Sequence, residues 1–126
     1  MRAVDTNVLV RLITRDEARQ TASADAFIEK GAWVSILALA EATWILAAVY
    51  ERNPTDLAAA IDKLLNHRDL TLQDADVVAA ALDLFRSRPA LGFSDCLMLQ
   101  LARKAGHLPL GKFDRRLTKV EGTQRL

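Results

Sequence analysis

The chain of 126 residues is 51% hydrophobic and 26% charged, a balance that fits one compact domain and argues against disorder. A net charge of +1 does not mark a nucleic-acid binder, and the single cysteine, Cys96, excludes an internal disulfide, so a reducing cytoplasm is the expected compartment. Two apolar residues between Arg2 and Asp5 make no signal-peptide core, and the longest apolar stretch, Trp33 to Tyr50, carries Glu41 in its middle, so no membrane span is expected.

Arg2 to Val4 reads as a short first strand ending at Asp5. Helical spacing follows over Val8 to Thr14 and again over Glu17 to Lys30, where Gly31 stops it. Ala32 to Ser35 is a second strand. Leu37 to Tyr50 is helical and apolar on nearly every side, which predicts a buried helix. Asn53-Pro54 gives an N-cap and a first-turn proline for a helix running to about His67. Leu70 to Leu72 is a strand, Asp74 to Ser87 an amphipathic helix closed by Arg88-Pro89, and Ser94 opens a helix that Gly106 ends. Leu108 to Leu110 and Thr123 to Leu126 are the last strand candidates. Strands alternating with helices predict an α/β fold with a parallel sheet, and no repeat or linker divides residues 1–126. Function in such folds sits at the carboxyl ends of strands, where Asp5 lies and which Asp114 closely follows.

Four acidic residues stand out by context. Asp5 follows an apolar strand in Ala3-Val4-Asp5-Thr6-Asn7. Glu41 is the one charged side chain between Trp33 and Tyr50. Asp95 opens a helix in Gly92-Phe93-Ser94-Asp95-Cys96, and Asp114 lies in Lys112-Phe113-Asp114-Arg115-Arg116. Asp5, Asp95 and Asp114 each also suit a helix N-cap, and Glu41, if buried, needs an ion pair or a cation. Carboxylates gathered at one sheet mouth repel one another and suit Mg²⁺ or Mn²⁺, hard cations that prefer oxygen ligands. Such a site fits phosphodiester hydrolysis. Charge is unevenly spread. From Arg103 to the end there are seven basic and two acidic residues, and from Glu51 to Phe85 three basic and seven acidic ones. This is compatible with a basic phosphate-binding patch or with a solvated helix face. Cys96, His67, His107, Trp33 and Trp44 read as core, capping or surface residues, since no Cys/His cluster exists.

The segments AVDTNVLVRLI, VSILALAEATWIL, FSDCLMLQLARKAG and PLGKFDRRL, in this order and at these separations, resemble a PIN domain, and the length resembles the VapC-type toxins of bacterial toxin–antitoxin pairs. The resemblance covers essentially the whole chain. It implies a single α/β/α sandwich around a parallel sheet and Mg²⁺- or Mn²⁺-dependent endoribonuclease activity. By motif match Asp5, Glu41, Asp95 and Asp114 are the implied metal ligands and catalytic acids. Thr6, Asn7 and Ser94 orient them, and Lys112, Arg115 and Arg116 are candidate contacts to RNA. A homodimer and a cognate antitoxin that masks the acidic site are also implied. The chain departs from the family at Lys112, where a small hydroxyl residue is common two positions before the fourth acid. An ammonium there can meet substrate phosphate or compete with a second cation. The alternative is a PIN-like module that binds RNA or a partner without cutting. An aspartyl phosphatase or phospho-acceptor domain fits less well, because Asn7 stands where the Asp-x-Asp pattern needs an acid.

Overall fold

In the computed structural model, which describes residues 1–114 and 120–126, strand β1 (Arg2–Val4) runs directly into helix α1 (Thr6–Thr14). The chain divides into two units, Met1–Ala75 and Asp76–Leu126. The first continues with α2 (Ala18–Ile28), β2 (Ala32–Val34), α3 (Ile36–Ala48), α4 (Pro54–Leu65) and β3 (Leu70–Leu72). Its three strands pair in parallel in the order β1-β2-β3, with Val4 opposite Val34 and Val34 opposite Leu72. That row is buried, whereas the row Ala3, Trp33 and Thr71 is exposed. Strands β2 and β3 alternate buried-exposed-buried, whereas in β1 only Val4 is buried, and the buried row marks which side faces the core.

Each helix of this unit starts where its sequence supplies a cap. Glu17 accepts from the Gln20 amide, Ser35 Oγ from the Ala38 amide at 3.0 Å and Asn53 Oδ1 from the Asp56 amide at 2.8 Å, with Pro54 in the first turn. The core is built from Leu9, Val10, Leu12, Leu39, Leu46, Ile61 and Leu64, all at most 4% exposed. Helix α3 differs from its expected burial. Leu37, Trp44 and Val49 are 69%, 66% and 65% exposed, and Trp33 on β2 is also exposed. Apart from Glu41 the helix is apolar on nearly every side, but only its Ala38, Leu39, Ala42, Thr43 and Leu46 face is covered. Composition alone cannot separate a buried helix from one with an uncovered apolar face.

The second unit holds α5 (Ala75–Ser87), a 3₁₀ turn (Pro89–Leu91), α6 (Phe93–Ala105), β4 (Leu110–Lys112) and β5 (Thr123–Arg125). Phe85 and Phe93 meet edge to face with ring centres 5.9 Å apart, in a core shared with Val78, Ala81, Leu82 and Leu97. Gly106, at φ +82°, closes α6 in the left-handed conformation. Strand β4 begins two residues later than expected. Pro109 has no N–H to give a ladder, and the Leu110 amide makes the first bond, to the Gly122 carbonyl at 2.8 Å. Strands β4 and β5 pair in parallel, Lys112 opposite Arg125. The fold is thus mixed α/β with parallel strands and, among the described residues, six α-helices.

Candidate functional site

In the first unit the polar cluster lies at the carboxyl end of β1. Asp5, with extended backbone, is the N-cap of α1, and its Oδ1 accepts from the Val8 amide at 3.1 Å. Thr6 begins the helix, and its hydroxyl donates to Glu41 Oε2 at 2.9 Å. Asp5 and Glu41 are therefore brought to the same strand end, one through its own cap and the other through the neighbour of Asp5. Helix α3 is held there from its start. Gln73 Oε1 accepts from the Ile36 amide at 2.9 Å, and the Gln73 amide donates to the Val34 carbonyl at 2.8 Å. The register of β2 beside β3 thus sets where Glu41 falls. Glu41 is exposed, which corrects the expectation that it is buried and short of a partner. Its carboxylate keeps water as a neighbour and carries no full burial penalty.

In the second unit Asp95 lies in the first turn of α6. It is not the cap. Gly92, at φ +79°, holds that position with no side-chain cap bond. A Cβ on Gly92 would come within 4.0 Å of Asp95 Oδ2, and its positive φ disfavours any other residue. Asp95 Oδ1 is 2.8 Å from Lys112 Nζ, and the two side chains are only 25% and 18% exposed. Ser94 is exposed. Asp114 follows β4 by two residues and is half-buried, while Arg115, Arg116 and any helix that Asp114 would cap lie outside the described residues.

Two further features escaped the sequence. Arg11 donates through Nε to Gln20 at 2.6 Å, and through Nη1 to Asp16 at 2.8 Å and to the Tyr50 hydroxyl at 3.0 Å. The Asp16 carboxyl is held below the usual range, first by the Thr14 hydroxyl and also by Arg11 and Tyr50. Beside this network, a cleft of about 660 Å³ is lined by Asn7, Val8, Arg11, Arg19, Gln20 and Phe27. Its sequence signal is the polar stripe of Asn7, Arg11 and Thr14, which helical spacing places on the side of α1 away from the buried Leu9 and Leu12. Cys96 is fully buried, and burial, then the charge of Asp95, pushes its thiol up to about 11. A raised pKa and burial both leave little thiolate, the nucleophilic form, at neutral pH.

Carboxylate oxygens are the right donors for a hard divalent cation, and Asp5 and Glu41 each have one oxygen fixed by a neutral hydrogen-bond donor. That donor chemistry fits Mg²⁺ or Mn²⁺. Among the described residues no three His, Cys, Asp or Glu side chains stand together as a ligand cluster. No helix among them is long and apolar enough to cross a membrane.

No curated protein and no solved structure shows significant similarity to the chain. The PIN domain model, in contrast, matches residues 2–122, from β1 to the turn before β5 and through every acidic residue described above, and the chain therefore belongs to the PIN domain family.

Proposed function

We propose that the protein is a metal-dependent endoribonuclease, the toxin of a type II toxin–antitoxin pair of the VapC kind. PIN domains are in general nucleases, and the family match spans nearly the whole chain. The observation that carries the reading within this family is the Thr6–Glu41 hydrogen bond, which draws two carboxylates, Asp5 and Glu41, to one strand end. Asp5, Glu41, Asp95 and Asp114 are the proposed ligands, in a single domain over residues 1–126. When held by these carboxylates, Mg²⁺ or Mn²⁺ would supply Lewis acidity at a phosphate oxygen and would make a bound water more acidic. The protein's own residues hold the carboxylates in place. The Val8 amide fixes Asp5, the Thr6 hydroxyl fixes Glu41, and the first turn of α6 presents Asp95 with favourable helix-dipole charge. Asn7 and Ser94 are proposed to orient these groups, and Lys112, Arg115 and Arg116 to meet RNA phosphates.

The uncovered apolar side chains of Leu37 and Trp44 on one side of α3 support the proposed homodimer and antitoxin, since exposed large apolar side chains on one helix face suit a protein partner. The lone buried cysteine supports a cytoplasmic setting. The test is cleavage of total cellular RNA by antitoxin-free protein with Mg²⁺ or Mn²⁺, with EDTA, and with Asp5→Asn. Discrete cuts that need the metal and vanish in the variant are expected. Absence of cutting by folded protein across structured RNAs would replace this reading with the non-cleaving RNA- or partner-binding module.

A further inference from the structure

We infer that Lys112 is a tethered counter-ion of Asp95 that occupies the carboxylate oxygen a divalent cation would take, and so weakens cation binding at this acid. The inference rests on the proposed metal-dependent reading and assigns a role to the residue where the chain departs from its family.

The geometry is specific. Lys112 Nζ sits 2.8 Å from Asp95 Oδ1, with the two side chains 18% and 25% exposed. The contact is a charge-assisted hydrogen bond in a partly shielded place, unlike the freely hydrated ion pairs that contribute little. The stem is also anchored. Lys112 ends β4, its register partner is Arg125 on β5, and its carbonyl accepts from the Leu126 amide at 2.8 Å. Releasing Asp95 therefore requires the side chain to swing away while the backbone stays.

Asp95 is distinguished from Asp5 and Glu41 by this partner. Among the described residues Asp5 and Glu41 are held by neutral donors, a backbone amide and a threonine hydroxyl. An ammonium is a compact single positive charge with three donors. It can hold one carboxylate ordered without a metal, but it supplies neither double charge nor an acidified water. Apparent affinity for a cation falls by the fraction of molecules in which the acid is open. If Lys112 leaves Asp95 open in about one molecule in ten, the apparent Kd rises about tenfold.

The experiment is Mn²⁺ binding to the full chain, by calorimetry and by the electron paramagnetic resonance signal of free Mn²⁺, with circular dichroism as the folding control. Lys112→Met keeps the unbranched stem, one heavy atom shorter, and removes its charge, and Lys112→Thr serves as a second variant. Both are expected to bind Mn²⁺ about tenfold more tightly than the parent. Lys112→Met placed in an Asp95→Asn background is expected to change nothing further, because the competing pair is already gone. Equal or weaker binding by both lysine variants, with parent binding still lost in Asp5→Asn, overturns the role of Lys112 and leaves the metal site standing. No specific Mn²⁺ binding by parent or variants overturns the metal-dependent reading itself, and this inference with it.

Discussion

Glu41 accepts a hydrogen bond from the Thr6 hydroxyl across 2.9 Å although the two residues lie 35 positions apart in sequence. This bond links the helix that follows β1 to the helix that follows β2, and it fixes one oxygen of a carboxylate that is otherwise exposed. Removing the hydroxyl should leave the fold intact while loosening the acid. Thr6→Val is expected to lower metal-dependent cleavage about 10- to 100-fold, the usual cost of removing a group that orients a ligand. The stability loss should be about 1 kcal/mol or less, since the bond lies at the surface. Thr6→Ser should restore most of the activity. Cleavage rates beside urea unfolding curves check both parts, and a large stability loss with unchanged cleavage would make the bond purely structural.

Asp5 has two tasks that one pair of substitutions separates. It caps α1 through the Val8 amide, and it is a proposed metal ligand. Asn retains the capping oxygen and removes the negative charge, whereas Ala removes both. Asp5→Asn is expected to unfold within a few tenths of a kcal/mol of the parent, and Asp5→Ala about 1 kcal/mol below it. Both should abolish cleavage. Normal cutting by Asp5→Asn would reduce Asp5 to its capping role.

Much of this arrangement is visible in the residues themselves. Asp5 after an apolar strand, Asn53-Pro54 before α4, and Gly106 after α6 each state a boundary through local chemistry, and the helices and strands fall there within a few residues. Tertiary facts are a different matter. The apolar run around Glu41 predicts burial, yet Glu41, Leu37 and Trp44 are exposed on one side of α3, a side that the single charge marks but the apolar composition of the run obscures. The Asp95–Lys112 pair joins residues 17 apart and depends on where β4 ends, two residues beyond the stretch that its hydrophobicity suggested. Sequence flagged Lys112 as unusual and could not name its partner.

Acid should weaken the fold through Asp16. Its folded pKa lies below the ordinary value of 3.8, chiefly through the Thr14 hydroxyl. A carboxyl that binds its proton less tightly when folded adds stability that is fully present above its unfolded pKa. That contribution is lost as pH falls through the lower folded value. Asp25, beside Arg15, and Asp76, beside Lys104, act in the same direction. Thermal melts of the parent should therefore decline below about pH 4, and Asp16→Asn should decline less over the same window. Identical acid limbs would show that the Arg11–Asp16–Tyr50 network does not distinguish folded from unfolded chain.

The uncovered face of α3 predicts self-association. Leu37 and Trp44 are two turns apart on one side of the helix and are 69% and 66% exposed. Leu37→Lys combined with Trp44→Glu is expected to convert a sedimenting dimer into a monomer. The monomer's own unfolding free energy should shift by no more than about 0.5 kcal/mol per site, because neither side chain is part of the core. A parent protein that sediments as a monomer at tens of micromolar would remove the proposed homodimer and leave the antitoxin as the partner for this face.

Cys96 supplies the contrast, a side chain beside a candidate catalytic acid that should do nothing chemical. It has no exposed surface, and burial together with the Asp95 charge raises its thiol to about 11. Only about one thiol in a thousand is then ionised at pH 8, and the reagent cannot reach it without local opening. Labelling by a thiol-specific disulfide reagent is expected to be slow in native protein, to be complete in denaturant, and to accelerate with urea in step with unfolding. Cys96→Ala should keep cleavage and lose stability modestly. Cys96→Ser should cost about 1–3 kcal/mol, since it buries a hydroxyl at a position with no exposed surface. Rapid native labelling, or loss of cleavage in a folded Cys96→Ala, would mean that the start of α6 opens far more readily than its packing implies.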